Sequence, residues 1–102
     1  MNMSNENNQL QIELKEDVAG GIYSNLAIIA HSTSEFVFDF VRMMPGISKA
    51  QVKSRIIMTP EHAKRLAIAL QDNLRRYESQ NGEIRLPERQ GYMPGNMYKG
   101  EA

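Results

Sequence analysis

The side chains that could carry acid–base or metal chemistry are few and widely spaced. His31 and His62 are the two histidines and cysteine is absent, so neither a thiolate site nor a closely spaced histidine pair exists. Glu35 and Asp39 are a candidate carboxylate pair, but four residues of extended strand separate them by about 13 Å. That distance is too long for a shared proton. The sequence therefore predicts no catalytic residue, no metal ligand and no cofactor, and a protein that is not an enzyme.

Three polar residues interrupt largely apolar segments: Asn25, Asp39 and Arg55. An Asp–Arg pair in a sheet would be charge-assisted and can be bidentate. Two interpretations stand: the residues fix a partner or subunit interface, or they belong to a solvated sheet face whose salt bridge contributes little. The interface hypothesis comprises Tyr23, Asn25, Ile29, Val37, Asp39, Val41, Met43 and Arg55.

The elements that must position these residues follow from hydrophobic periodicity. Alternation predicts four strands, at residues 10–15, 22–31, 35–43 and 50–58, joined by short links into an antiparallel meander. Residues 32–34 have the length of a hairpin link.

A three-residue link sets the register of the predicted hairpin. It places Ile28 near Phe38 and Ile29 near Val37, so the phenylalanines form the main core face. A one-residue slip would exchange the two faces of the strand.

A long helix is predicted after the last strand. Thr59 is a suitable N-cap, Pro60 suits the first helical position and Glu61 complements the helix dipole. Asn81–Gly82 marks the expected end. The helix carries one apolar stripe, expected to fold back over the phenylalanine face: Ala63, Leu66, Ala67, Leu70, Leu74 and Tyr77. The predicted fold is α+β, a four-stranded antiparallel meander with one long helix packed on one face.

Composition limits the domain organisation and the kind of partner. The 102 residues suffice for one domain, predicted at residues 9–82, between a disordered N-terminus at 1–8 and a mostly disordered tail at 83–102. Twelve acidic and twelve basic residues balance, which argues against strong electrostatic binding to nucleic acid or membrane. The polar N-terminus resembles no signal peptide, so a cytoplasmic location is expected.

One helix covers only one side of a sheet, and the other side is partly apolar. This favours a homo-oligomer, a dimer or tetramer, that binds a protein or peptide. The alternative is a nucleic-acid-associated regulator that uses basic residues on the helix flank, such as Lys64, Arg75 and Arg76.

Several motifs in order resemble a bacterial family. They are Tyr23-Ser24-Asn25, Glu35-Phe36, Asp39-Phe40, Ser54-Arg55-Ile56-Ile57, Thr59-Pro60-Glu61-His62-Ala63-Lys64 and Tyr77-Glu78. The family is domain of unknown function 3467, and the resemblance covers roughly residues 9–87. It implies the fold and carries no assigned activity.

A weaker architectural resemblance is to the SecB-type export chaperones, which assemble from four-stranded sheets and bind unfolded segments. That likeness implies a chaperone-like role, although the long second helix of that family is missing here.

Overall fold

The computed structural model describes residues 9–87 of the chain. Three strands form one antiparallel sheet in the order β1-β2-β3, so the α+β class and the meander are confirmed. The elements in chain order are α1 (Glu16–Ala19), β1 (Leu26–His31), β2 (Phe36–Arg42), β3 (Gln51–Met58) and α2 (Pro60–Asn81). Of the termini predicted to be disordered, at residues 1–8 and 83–102, residues 1–8 and 88–102 lie outside the described residues. Residues 83–87 follow α2 without regular secondary structure, and the Ile84 N–H donates to Glu78 Oε2 at 2.9 Å.

The predicted first strand, at residues 10–15, does not form. Leu10, Ile12 and Leu14 are 63 to 83% exposed, and no backbone hydrogen bond joins residues 10–14 to another described residue. An alternating segment becomes a strand only when a neighbour supplies its ladder of hydrogen bonds. Acidic residues in the first turn and a following glycine pair accompany the short helix α1, which the periodicity did not reveal.

The hairpin between β1 and β2 differs from the prediction by one residue. Ser32 N donates to Glu35 O at 2.9 Å, while Ser32 Oγ accepts from the N–H groups of Ser34 and Glu35. The link therefore contains residues 32–35, and His31 pairs with Phe36. Because the link is one residue longer than predicted, every pairing in the hairpin shifts by one.

The new register defines two sheet faces. Pairing of Ile29 with Phe38 and of Phe38 with Ile56 places these three side chains together. The phenylalanine face comprises Ala27, Ile29, His31, Phe36, Phe38, Phe40, Ser54, Ile56 and Met58. The valine face comprises Leu26, Ile28, Ala30, Val37, Asp39, Val41, Val52, Arg55 and Ile57. The prediction that Ile28 lies near Phe38 is wrong.

The buried core of the described chain is small. Its buried hydrophobic residues are Phe38 at 8% exposure, Val41 at 4% and Ala63 at 8%. Two of these lie on the central strand β2, which has a neighbour on both edges. The rings of Phe36, Phe38 and Phe40 stack along one face with centroids 6.4 to 6.5 Å apart.

Part of the phenylalanine face faces the N-terminal segment. Val18 and Ile22 share a shallow cavity of about 410 Å³ with Phe40 and Ile56. The chain before β1 therefore crosses toward β3 and away from the β1 edge.

Helix α2 begins and ends where the sequence predicts. Thr59 Oγ1 accepts from His62 N at 3.3 Å, and Pro60 occupies the first turn. The helix ends at Gly82, whose φ of 92° and ψ of 165° lie in a region that suits glycine. No helix in the described part of the chain has an apolar run that could cross a bilayer.

The apolar stripe of the helix is not buried against the sheet as predicted. Leu66, Leu70, Leu74 and Tyr77 remain 38 to 55% exposed, and only Ala63, in the first turn, is buried. Full burial within α2 is therefore confined to its first turn.

Candidate interaction surfaces

The eight residues predicted to form one interface are divided between two faces and one end of the sheet. Val37, Asp39 and Val41 lie on the valine face, where Arg55 is the cross-strand neighbour of Asp39. Ile29 lies on the phenylalanine face because it pairs with Phe38. The prediction that Ile29 shares a face with the valines is wrong, and the four-residue hairpin link is the physical reason.

The polar residue Asn25 extends the sheet at the start of β1, directly before Leu26. Its Nδ2 donates to Met43 O at 3.0 Å and its Oδ1 accepts from Met43 N at 2.8 Å. Ser24 Oγ lies 3.0 Å from Val41 O next to it. Both ends of the Asn25 amide are thus used within the chain, where they replace a missing pair of ladder hydrogen bonds.

The predicted interface residues differ in how much surface they offer. Val41 is buried, so it presents almost no area to a second molecule. Tyr23 and Ile29 are exposed, while Val37 and Met43 are half-buried. The role of these residues in an interface stays a prediction. The assumption behind it, that all eight residues share one face of the sheet, does not hold.

Asp39 and Arg55 form the bidentate pair that the sequence suggested. Arg55 Nε donates to Asp39 Oδ1 at 2.7 Å, and an Arg55 terminal nitrogen donates to Oδ2 at 2.8 Å. The hydrogen bond from Arg55 lowers the pKa of the Asp39 carboxyl, desolvation by burial opposes this, and the Arg55 charge adds to the lowering. Because the Arg55 side chain is largely exposed, the pair orients two strands more than it stabilises them.

The stripe of α2 is an apolar surface that a regular element leaves exposed. The apolar spacing predicts a face packed in the core, and the structure leaves much of that face exposed. Its large exposed members are Leu66, Leu70, Leu74 and Tyr77, which we call the α2 stripe; Ala67 is exposed beside them. Nothing in the spacing of a helix distinguishes a stripe that packs on its own sheet from one that packs on another chain.

The flanks of α2 are charged and partly paired within the helix. Arg65 binds Glu61 at 3.1 Å, and Arg76 and Arg75 approach Asp72 at 3.1 and 3.7 Å. These ion pairs offset much of the positive charge that a nucleic-acid-binding flank would need.

The histidines take part in local structure. The ring of His31 stacks on Phe36 with centroids 5.2 Å apart, and the backbone N–H of His62 donates to Thr59 Oγ1. Among residues 9–87, no three His, Cys, Asp or Glu side chains are grouped so that they could hold a metal ion.

Comparison with known proteins gives a family and no activity. A family model described as "Protein of unknown function (DUF3467)" matches residues 1–86. The searches of curated proteins and of solved structures each found no match, so the likeness to SecB-type chaperones has no structural support. Since the family model covers most of the 102 residues, the chain belongs to the DUF3467 family of proteins of unknown function.

Proposed function

We propose that this chain is a non-enzymatic binding module that self-associates through the α2 stripe. The observation that carries the proposal is the exposure of Leu66, Leu70, Leu74 and Tyr77 on a regular, well-capped helix. Apolar side chains aligned on one helix face are stabilising when another surface covers them. A second copy of the chain is the simplest molecule that could cover them.

The length and weak burial of α2 also favour a partner that packs against it. An isolated helix of this length is marginal in water, and most helical stability in proteins comes from packing an amphipathic face. Within the described chain, α2 buries one residue, Ala63, and its large apolar side chains keep 38 to 55% of their surface exposed at Leu66, Leu70, Leu74 and Tyr77. Association would supply the packing that the sheet does not supply.

A chaperone-like role is a narrower form of the same proposal. An exposed apolar stripe can hold an unfolded apolar segment as well as a folded surface. The test is aggregation of a chemically unfolded client protein, followed by light scattering, with and without the chain. Suppression that is lost in Leu70→Asp supports this form, and unchanged aggregation rules it out without affecting self-association.

The experiment that tests self-association is a mass measurement on the full chain by sedimentation. We expect the wild-type chain to exceed its monomer mass of 11.6 kDa in a concentration-dependent manner. Leu70→Asp places a charge in the middle of the stripe and should return the chain toward the monomer mass.

Ile68 provides a matched control for Leu70. It is also an exposed aliphatic residue of α2, but it lies two positions away and so on nearly the opposite side of the helix. Ile68→Asp should leave the mass unchanged. Circular dichroism of both variants separates loss of assembly from loss of folding. A wild-type chain that stays monomeric at high concentration overturns the proposal.

A further inference from the structure

Strand β1 forms one edge of the sheet and lacks the features that protect edge strands. In the described part of the chain, its one neighbour is β2. Its six residues include no proline, no lysine or arginine and no acidic residue. The opposite edge strand, β3, carries Lys53 and Arg55 and has a register shift opposite Phe40 and Val41. Because charges and bulges discourage an added strand, β1 is the edge that is open to one.

The backbone of β1 has a row of hydrogen-bonding groups on its outer side. Successive residues of an antiparallel strand point their N–H and C=O groups alternately toward and away from the neighbouring strand. Ser32 N donates to Glu35 O at 2.9 Å across the hairpin, which fixes the phase of this alternation. Ala27, Ile29 and His31 therefore direct their N–H and C=O groups away from β2. A segment in the extended conformation can use that row as a template.

The described chain also contains a strand-like sequence that has no partner strand. Residues 10–14 alternate between apolar and polar side chains, as a strand with one apolar face does. Leu10, Ile12 and Leu14 are 63 to 83% exposed, and no backbone hydrogen bond joins residues 10–14 to another described residue. Pairing with β1 would supply the missing ladder and would place apolar side chains beside Ile29, which is 55% exposed.

The path of the chain separates this segment from the β1 edge of its own copy. Val18 and Ile22 share a cavity with Phe40 of β2 and Ile56 of β3. The chain that precedes α1 is therefore tethered on the side of the sheet that lies away from β1. Each copy has one unpaired segment and one open edge, so a two-fold arrangement of two copies would pair both at once.

From these observations we propose that residues 10–14 of one copy add as a strand to the β1 edge of a second copy, which donates its own segment in return. The contact consists of main-chain hydrogen bonds to Ala27, Ile29 and His31, with the apolar side of the added segment on the phenylalanine face. It does not use the α2 stripe, so it is a second surface of self-association beyond the one proposed above.

Residue-resolved amide hydrogen exchange of the full chain tests this strand addition. In the dilute chain, the N–H groups of Ala27, Ile29 and His31 face solvent and should exchange rapidly. In the assembled chain, we expect the protection of these three N–H groups to rise by on the order of tenfold or more.

A pair of adjacent prolines removes the added strand whichever way its residues point. Because successive residues alternate in direction, either Ile12→Pro or Glu13→Pro eliminates an N–H that the added ladder needs. The double variant should lose the protection of the β1 edge. The matched control is Arg85→Pro with Leu86→Pro, in a segment without regular secondary structure, and it should keep that protection.

A mixing experiment shows which copy supplies the strand. Isotope-labelled chain with both Ile12→Pro and Glu13→Pro retains its own β1 edge but cannot donate a strand. Excess unlabelled wild-type chain should restore protection to the β1 edge of the labelled chain. Failure to restore it, or wild-type protection that does not change with concentration, would mean that each chain covers its own edge and would overturn the inference.

The remaining outcomes separate strand addition from the α2 contact. Rapid exchange of the β1 edge in a chain that is oligomeric by sedimentation would overturn strand addition and leave the proposed function intact. Leu70→Asp should keep the protection of the β1 edge. Protection of that edge in a chain whose mass does not respond to Leu70→Asp would overturn only the proposed function. A wild-type chain that stays monomeric at high concentration would overturn both.

Discussion

Strand β2 and helix α2 both carry clear apolar patterns, but β2 buries its apolar side chains within the chain and α2 leaves most of them exposed. Every residue of β2 except Arg42 is buried or half-buried, because β1 and β3 flank it on both sides. Helix α2 is three times as long and buries only Ala63. The comparison teaches that an amphipathic pattern identifies a surface that requires covering, while the chain's path decides whether the same molecule covers it.

The largest effect on the free energy of unfolding is expected for a substitution at the centre of β2. Phe38→Ala removes a buried ring between two stacked neighbours and should lower the free energy of unfolding by about 3–5 kcal/mol. Leu74→Ala should lower the free energy of unfolding of the dilute chain by only about 1 kcal/mol, because Leu74 is already 38% exposed in the single chain. Urea unfolding at low concentration measures both.

When self-association is measured in place of unfolding, Leu74→Ala should have the larger effect of the two variants. Sedimentation should show weakened association for Leu74→Ala. A loss of several kcal/mol in dilute Leu74→Ala would mean that α2 already packs within its own chain, and the contrast between the two elements would fail.

A medium effect is expected at the end of α2. Gly82 has a φ of 92° with open space around the position of an added Cβ, so Gly82→Ala should cost about 1–3 kcal/mol from backbone strain alone. Gly20 is the matched control, because its φ of −69° suits any residue and its surroundings are equally open. Thermal unfolding compares the two.

The stability costs of Gly82→Ala and Gly20→Ala can also be compared at different protein concentrations. If α2 is held by a second copy, the cost of Gly82→Ala should be larger at concentrations where the chain assembles, since the helix end is then fixed. Equal costs at all concentrations, matching those of Gly20→Ala, would mean that the end of α2 contributes nothing to either state.

The smallest effect concerns Asp39, the acidic residue of β2. Asp39 has a lowered pKa in the folded chain, so its contribution to stability is present above its ordinary value of 3.8 and is lost as pH falls through the folded pKa. A double-mutant cycle with Asp39→Asn and Arg55→Gln should give a coupling below about 1 kcal/mol at neutral pH. The coupling should vanish in acid, and a coupling that persists there would assign it to something other than the ion pair.

The sequence predicted the features that depend on residues near in the chain, and it missed features that depend on contacts between residues far apart in the chain. The cap at Thr59, the end of α2 and the strand character of β2 are local and are confirmed. The register failed because one serine hydroxyl, that of Ser32, stabilises a four-residue link where a three-residue link was expected.

Two further misses have the same origin. Residues 10–14 alternate as a strand does, yet no strand in the described chain pairs with them. Periodicity predicts a core position for the α2 stripe because it records that a face is apolar and does not record what covers that face. The Asp39–Arg55 pair was predictable because cross-strand neighbours on one face meet at short range.

The most direct test of the account is amide hydrogen exchange of the full chain at several protein concentrations. The central claim is that α2 depends on a second copy, while β2 is held within its own chain. Exchange protection across residues 66–77 should therefore rise with concentration by a larger factor than protection across β2. Protection of α2 that is strong and independent of concentration would contradict the account.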